Sequence, residues 1–186
     1  MTARAALLPL ALVATLAVGL LPASGQVGFE FMPDGGRGLL AQLFGGEQAS
    51  LAELATQTHG EAEWRGYLGG LGADLTETEI ETLAGYLSVN LPIDDTALEA
   101  AKTGGDLMSA FPADGKELAV ANCQFCHSIF SGYLMQDRDA QGWRNTFASP
   151  FHREIQMTER QRETFALYSF TNTPLEYEDV PPELRF

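Results

Sequence analysis

A seventeen-residue stretch occurs twice in this chain, and that repeat constrains the fold more than any other feature. Residues 76–92 align without gaps on residues 158–174 with eight identities: Thr76/Thr158, Glu77/Glu159, Glu81/Glu163, Thr82/Thr164, Ala84/Ala166, Tyr86/Tyr168, Asn90/Asn172 and Pro92/Pro174. Each copy reads as a helix with both ends encoded. Thr76 with Glu79, and Thr158 with Gln161, have the capping-box spacing. Asn90 and Pro92, like Asn172 and Pro174, mark the stop. In the first copy Leu75 and Ile80 flank the cap as a hydrophobic staple, and Ile80, Leu83, Ala84 and Leu87 recur on one helical face. Trp64-Arg65 upstream of the first copy echoes Trp143-Arg144 upstream of the second. The pattern predicts two related helical halves, the product of a duplication.

The remaining segments add short helices. One is expected near residues 39–44, one over 50–58 with Ser50 as cap and Glu53 three residues on, and one over 141–147. Asp114 with Glu117 caps another, which runs through Leu118, Ala119, Val120 and Ala121 into the cysteines. Residues 92–113, with Asp94-Asp95, Gly104-Gly105 and Pro112, read as a loop-rich connection. No segment alternates with period two over β-branched residues, so the fold class is all-α.

The first residues suggest export. Arg4 precedes an apolar run from Ala5 to Leu21, and Pro22-Ala23-Ser24-Gly25 supplies small residues for cleavage. That order describes a secretory signal peptide over residues 1–25, with an uncleaved anchor as the alternative. Without Arg4, the chain's −14 becomes a formal −15. Such a surface disfavours nucleic acid and anionic lipid, and suits a basic patch on a protein partner.

Cys123 and Cys126 are the only cysteines, in the run Cys123-Gln124-Phe125-Cys126-His127. On a helix, residues three and four apart share a face, so both thiols can reach the vinyl groups along one porphyrin edge. His127 then offers an imidazole to the iron. C-x-x-C-H is the attachment signal of c-type haem, and haem iron commonly takes a proximal His. A thioredoxin-like motif should follow a strand in a βαβ unit, and a structural zinc site needs four ligands where this cluster has three. One covalent haem c is therefore expected on Cys123 and Cys126, with His127 as the proximal iron ligand. A single such motif excludes a two-haem peroxidase on covalent haem count.

From Asp114 to Thr173 the chain resembles the class I cytochrome c family: a helix, Cys-x-x-Cys-His, Gly142-Trp143, then a capped last helix with Tyr168. It looks most like the small monohaem cytochrome subunits of periplasmic dehydrogenases. The resemblance implies a compact helical fold around one haem and outer-sphere electron transfer. On it, residues 26–92 form a haem-less half resembling a degenerate cytochrome c domain, 93–113 a linker, 114–174 the cytochrome c domain and 175–186 an extended tail. In relatives the distal Met falls about half-way between the Trp and the last cap, and that slot holds Pro150 here. His152 and Met157 are the distal candidates on this loop; Met135 and a vacant site stay open. His152 would give a lower potential than Met157.

The function expected is one-electron transfer in the periplasm, as a carrier or as the electron-transfer subunit of an oxidoreductase, rather than enzyme catalysis. The partner expected is a dehydrogenase or terminal acceptor with a basic docking patch, with a membrane involved only through an uncleaved anchor. An open-site haem enzyme or gas sensor, or a non-haem CxxC redox module, is the alternative. Arg144 or Arg153 could pair a haem carboxylate.

Overall fold

The computed structural model describes residues 28–45 and 47–186. Residues 1–25, expected as a signal peptide, lie outside them, and no helix among the described residues is long and apolar enough to cross a membrane. The described residues form eight α-helices: α1 (Gly36–Phe44), α2 (Gln48–Leu54), α3 (Glu61–Gly70), α4 (Glu77–Asn90), α5 (Asp95–Gly104), α6 (Gly115–Cys123), α7 (Ala140–Asn145) and α8 (Glu159–Asn172). Short 3-10 turns and one π-helical turn (Phe130–Leu134) join them, and no strand occurs among the described residues. The all-α expectation holds.

The repeated helices start as their residues dictate. Thr76 Oγ1 accepts the Glu79 N–H, and the Glu79 carboxylate accepts the Thr76 N–H at 2.7 Å. Thr158 and Gln161 repeat the exchange, the Thr158 N–H donating at 2.8 Å. Two orphan donors are satisfied at each start, a contribution of about 1 kcal/mol per cap. Asp114 and Glu117 form the third such box, at the start of α6.

Elsewhere the local signals mislead. Glu47, not Ser50, stands at the start of α2, and the Ser50 hydroxyl donates to the Glu47 carboxylate. The 93–113 segment is not a free linker. Asp94 caps α5 by accepting the Thr96 and Ala97 N–H groups, and Ile93, Leu98, Ala101, Leu107 and Phe111 are buried in a core. Apolar residues three apart on a capped helix are better sealed against a core than left in water. Residues 175–186 also fold back: Val180 is fully buried, and two 3-10 turns carry the chain over the second half.

Two apolar cores result. The first gathers Leu39, Leu40, Leu51, Leu54, Trp64, Leu83 and Leu87; the second gathers Leu118, Ala119, Tyr133, Trp143, Phe147, Phe165 and Tyr168. The helices of the halves correspond in length, nine residues for α1 and α6 and fourteen for α4 and α8. Between the halves the contacts are isologous, so that residue i of one meets j of the other and the reverse. Asn90 donates to Thr164 Oγ1 and Asn172 to Thr82 Oγ1, each at 2.9 Å where α4 packs on α8. The Tyr86 hydroxyl donates to the Pro112 carbonyl and the Tyr168 hydroxyl to the Pro33 carbonyl, each at 2.7 Å.

Pro33 and Pro112 stand 79 residues apart, as do Gly36 and Gly115 and the two tryptophans. The glycines are required by close approach: a Cβ on Gly36 would overlap the Tyr86 ring, and one on Gly115 the Tyr168 ring. The segments ahead of α1 and α6 are exchanged. Phe29 and Met32, ahead of α1, are buried in the second core, while Leu107 and Phe111, ahead of α6, complete the first. Each half therefore supplies a wall of the other's core.

Candidate functional site

The second core is not filled. A cavity of about 370 Å³ opens in it, lined by Cys123, Cys126, His127, His152 and Met157 against Trp143 and other aromatic walls. That volume lies within the range of small-molecule and cofactor pockets, about 300–1,000 Å³. At positions 79 or 82 residues earlier, where the second half has Tyr133, Phe147 and Phe165, the first half has Leu54, Leu68 and Leu83, each at most 2% exposed. A larger groove of about 580 Å³ runs along Val89, Arg144 and Arg160, open to solvent and free of cysteine and histidine.

α6 delivers Cys123 as its last residue. The Asn122 and Gln124 side-chain amides donate to the Leu118 and Val120 carbonyls, which satisfies the helix end and lets the chain leave the helix. Cys126 and His127 consequently sit on a bend after α6, not on a continuing helical face. The turn still brings all three motif residues to one cavity. Both cysteines are free thiols, and burial pushes the Cys123 thiol up to about 12.

His127 is held from behind. Its Nδ1 lies 3.2 Å from the Ser128 carbonyl, and the ring rests on Gly132, where a Cβ would overlap Nδ1 and Cε1. Across the cavity His152 faces it, with ring centroids 6.2 Å apart and ring planes at 78°. His–metal bonds of about 2.0–2.1 Å, with about 1.1 Å from nitrogen to ring centre, put two imidazoles on one ion about 6 Å apart. The observed separation matches that geometry. Met157, 8% exposed, lines the same cavity from the residue before the α8 cap. Where Ile80 makes the staple of the first copy, Arg162 lays its guanidinium over the Phe147 ring at 5.0 Å.

Trp143 Nε1 is buried without a hydrogen-bond partner, as is Trp64 Nε1 in the first core; Trp143 is the one that lines this cavity. Arg138 lies over the Trp143 ring at 5.1 Å and also lines the cavity. Arg144 and Arg153 do not line it. Arg144 grips Glu163 in a bidentate pair at 2.6 and 2.7 Å, and Arg153 pairs with Glu154. Phe125, between the two cysteines, is 75% exposed. Among the described residues no group of three or more His, Cys, Asp or Glu is arranged to hold a metal ion.

Gly132, Arg138 and the π-helical turn were not legible as site residues, because their contribution is contact with His127 or Trp143 across the fold. Charge is divided unevenly. Residues 28–113 carry fourteen acidic side chains against Arg37, Arg65 and Lys102, while residues 114–186 carry eleven against seven cations. Comparison of the chain with protein-family models, curated proteins and solved structures found no match.

Proposed function

We propose that the chain is a periplasmic monohaem c-type cytochrome: one haem c joined to Cys123 and Cys126, with His127 as proximal and His152 as distal ligand. One observation carries this reading. Both thiols and two facing imidazoles, 6.2 Å apart, converge on a single apolar cavity. The donor set fits the group in another respect, since the unpartnered Trp143 Nε1 and the Arg138 guanidinium suit a cofactor that carries carboxylates. Bound haem supplies a reversible one-electron couple. The chain's own residues fix the imidazoles, exclude water with the Trp143, Phe147 and Phe165 walls, and leave the Cys126 edge at the surface for electron exchange. Two imidazole ligands favour a low potential relative to His/Met ligation.

A thiol-redox module fits less well. Reactive CxxC thiols are lowered in pKa, typically at a helix N-terminus, whereas Cys123 ends its helix at the negative pole of the dipole and is raised. Met157, close by in the same cavity, is the alternative distal ligand.

The isologous contacts between halves support descent from one duplicated unit. At the positions 79 residues before Cys123, Cys126 and His127 stand Phe44, Glu47 and Gln48, so the first half reads as the haem-less copy. The acidic excess of that half suits it to a basic face on an oxidoreductase or terminal acceptor. Export through residues 1–25 would bring the chain to the compartment where such attachment occurs.

The test is expression in a host that attaches haem c. A pyridine haemochrome spectrum and a haem-stained denaturing gel should show one covalent haem per chain, lost in Cys123→Ala/Cys126→Ala. A colourless exported chain would refute the reading.

A further inference from the structure

We infer that residues 128–134, clamped in place by residues 175–186, position the proximal ligand by setting the rotation of the His127 imidazole about its iron bond. The inference rests on the haem reading above and names the residues that tune that site. The Ser128 carbonyl is the centre of the arrangement. It accepts the Gly132 N–H at 3.0 Å and lies 3.2 Å from His127 Nδ1, so one acceptor ties the imidazole to the π-helical turn and leaves Nε2 for the metal. Gly132 then forms the back wall, since any Cβ there would occupy the space of the ring. A hydrogen bond at Nδ1 and a steric stop along the Nδ1–Cε1 edge together restrict the rotation of the ring.

This segment would be a mobile loop if left to itself, because a π-helical turn has few intrinsic bonds to hold it. It is fastened at three points by the same stretch of chain. The Leu175 N–H donates to the Leu134 carbonyl at 2.9 Å. Tyr177 packs edge-on against Phe130 with centroids 5.8 Å apart, its other contact being the Arg185 guanidinium at 4.4 Å. The Ser128 hydroxyl donates to the Phe186 carbonyl. Val180, fully buried in the second core, anchors the clamp itself. A first half without the motif uses its equivalent segment for packing alone: Ile93 donates to Ala55 where Leu175 donates to Leu134.

Groups that orient a metal-bound histidine alter the metal's affinity and electronics as well as its geometry. The two imidazole planes stand at 78°, and turning His127 changes that angle. Two variants of the full chain test the inference: Gly132→Ala, which moves the back wall, and Ser128→Ala/Tyr177→Ala, which loosens the clamp at exposed or half-exposed positions. Haem content is read first by pyridine haemochrome, then the midpoint by redox titration and the ferric signal by electron paramagnetic resonance. Each variant should keep its covalent haem and change the ferric/ferrous ratio at fixed ambient potential at least threefold, where tenfold is about 59 mV for one electron. The anisotropy of the low-spin ferric signal should change with it. Wild-type potential and signal in a haem-loaded clamp variant overturn the inference, even if its melting temperature falls. Should Gly132→Ala fail to accumulate, the clamp variant decides alone. A wild-type chain without covalent haem refutes instead the reading on which the inference rests.

Discussion

Removing one hydroxyl from the first half should weaken the second half just as much. Tyr86 and Tyr168 each donate one hydrogen bond across the boundary, to Pro112 and Pro33. Tyr86→Phe keeps the ring on Gly36 and deletes only that bond. A hydrogen bond contributes about 1 kcal/mol net, and stranding a partly buried carbonyl raises the loss to about 1–2 kcal/mol. For a domain of this size about 1.5 kcal/mol lowers the melting temperature by about 3–6 °C. Because the exchanged segments make each core depend on the other, the loss should fall on one cooperative transition. The chain has two tryptophans, one in each core. In a Trp64→Phe background Trp143 alone reports the second core, and Tyr86→Phe should lower its midpoint as far as Tyr168→Phe does. A Trp143 transition unmoved by Tyr86→Phe, or two separated transitions, would refute the argument that the halves are mutual scaffolds.

His152→Ala should let the ferrous protein bind carbon monoxide, while Met157→Ala should not; the reverse pattern in the visible spectrum would make Met157 the distal ligand. Gly115→Ala drives a methyl into Tyr168 and should cost about 1–3 kcal/mol by overpacking, seen as a lower denaturant midpoint at unchanged slope. The Arg144 hydrogen bonds hold the Glu163 carboxyl below its ordinary value. Its contribution is thus complete above the unfolded Glu range and is lost as pH falls through the folded value. The gap in melting temperature between wild type and Glu163→Gln should be widest near neutrality and close on acidification, and a pH-independent gap would count against the pair.

Apart from the repeat of residues 76–92 at 158–174, what could be read from the residues alone was local. The caps of α4, α6 and α8 are written in adjacent side chains, and the motif brings its three residues together whatever follows. α3 has no clear signature in the residues, because Gly66, Gly69 and Gly70 dilute its apolar face and its start is a glycine, Gly60, backed by Glu63. α5 has a legible Asp94 cap, but Gly104-Gly105 and Pro112 give its surroundings the composition of a loop. Met32, unremarkable in sequence, is 3% exposed because the second core takes it from the opposite half. Likewise Gly132 acquires its importance only when the π-helical turn folds onto His127, a relation no periodicity encodes.

The exchange of segments also imposes a timetable on synthesis. Phe29 and Met32 precede every helix described, yet their seat does not exist until the α8 residues Phe165 and Tyr168 have followed. The residues of the first core have all emerged once Phe111 has, while the second still awaits α8. Cys123 thus passes through an interval in which it is already made and not yet enclosed, while Cys126 stays at the surface throughout. The earliest residues of the described chain act as its final fastening, and a domain that folds as it is made would present its thiols for modification before that fastening is done.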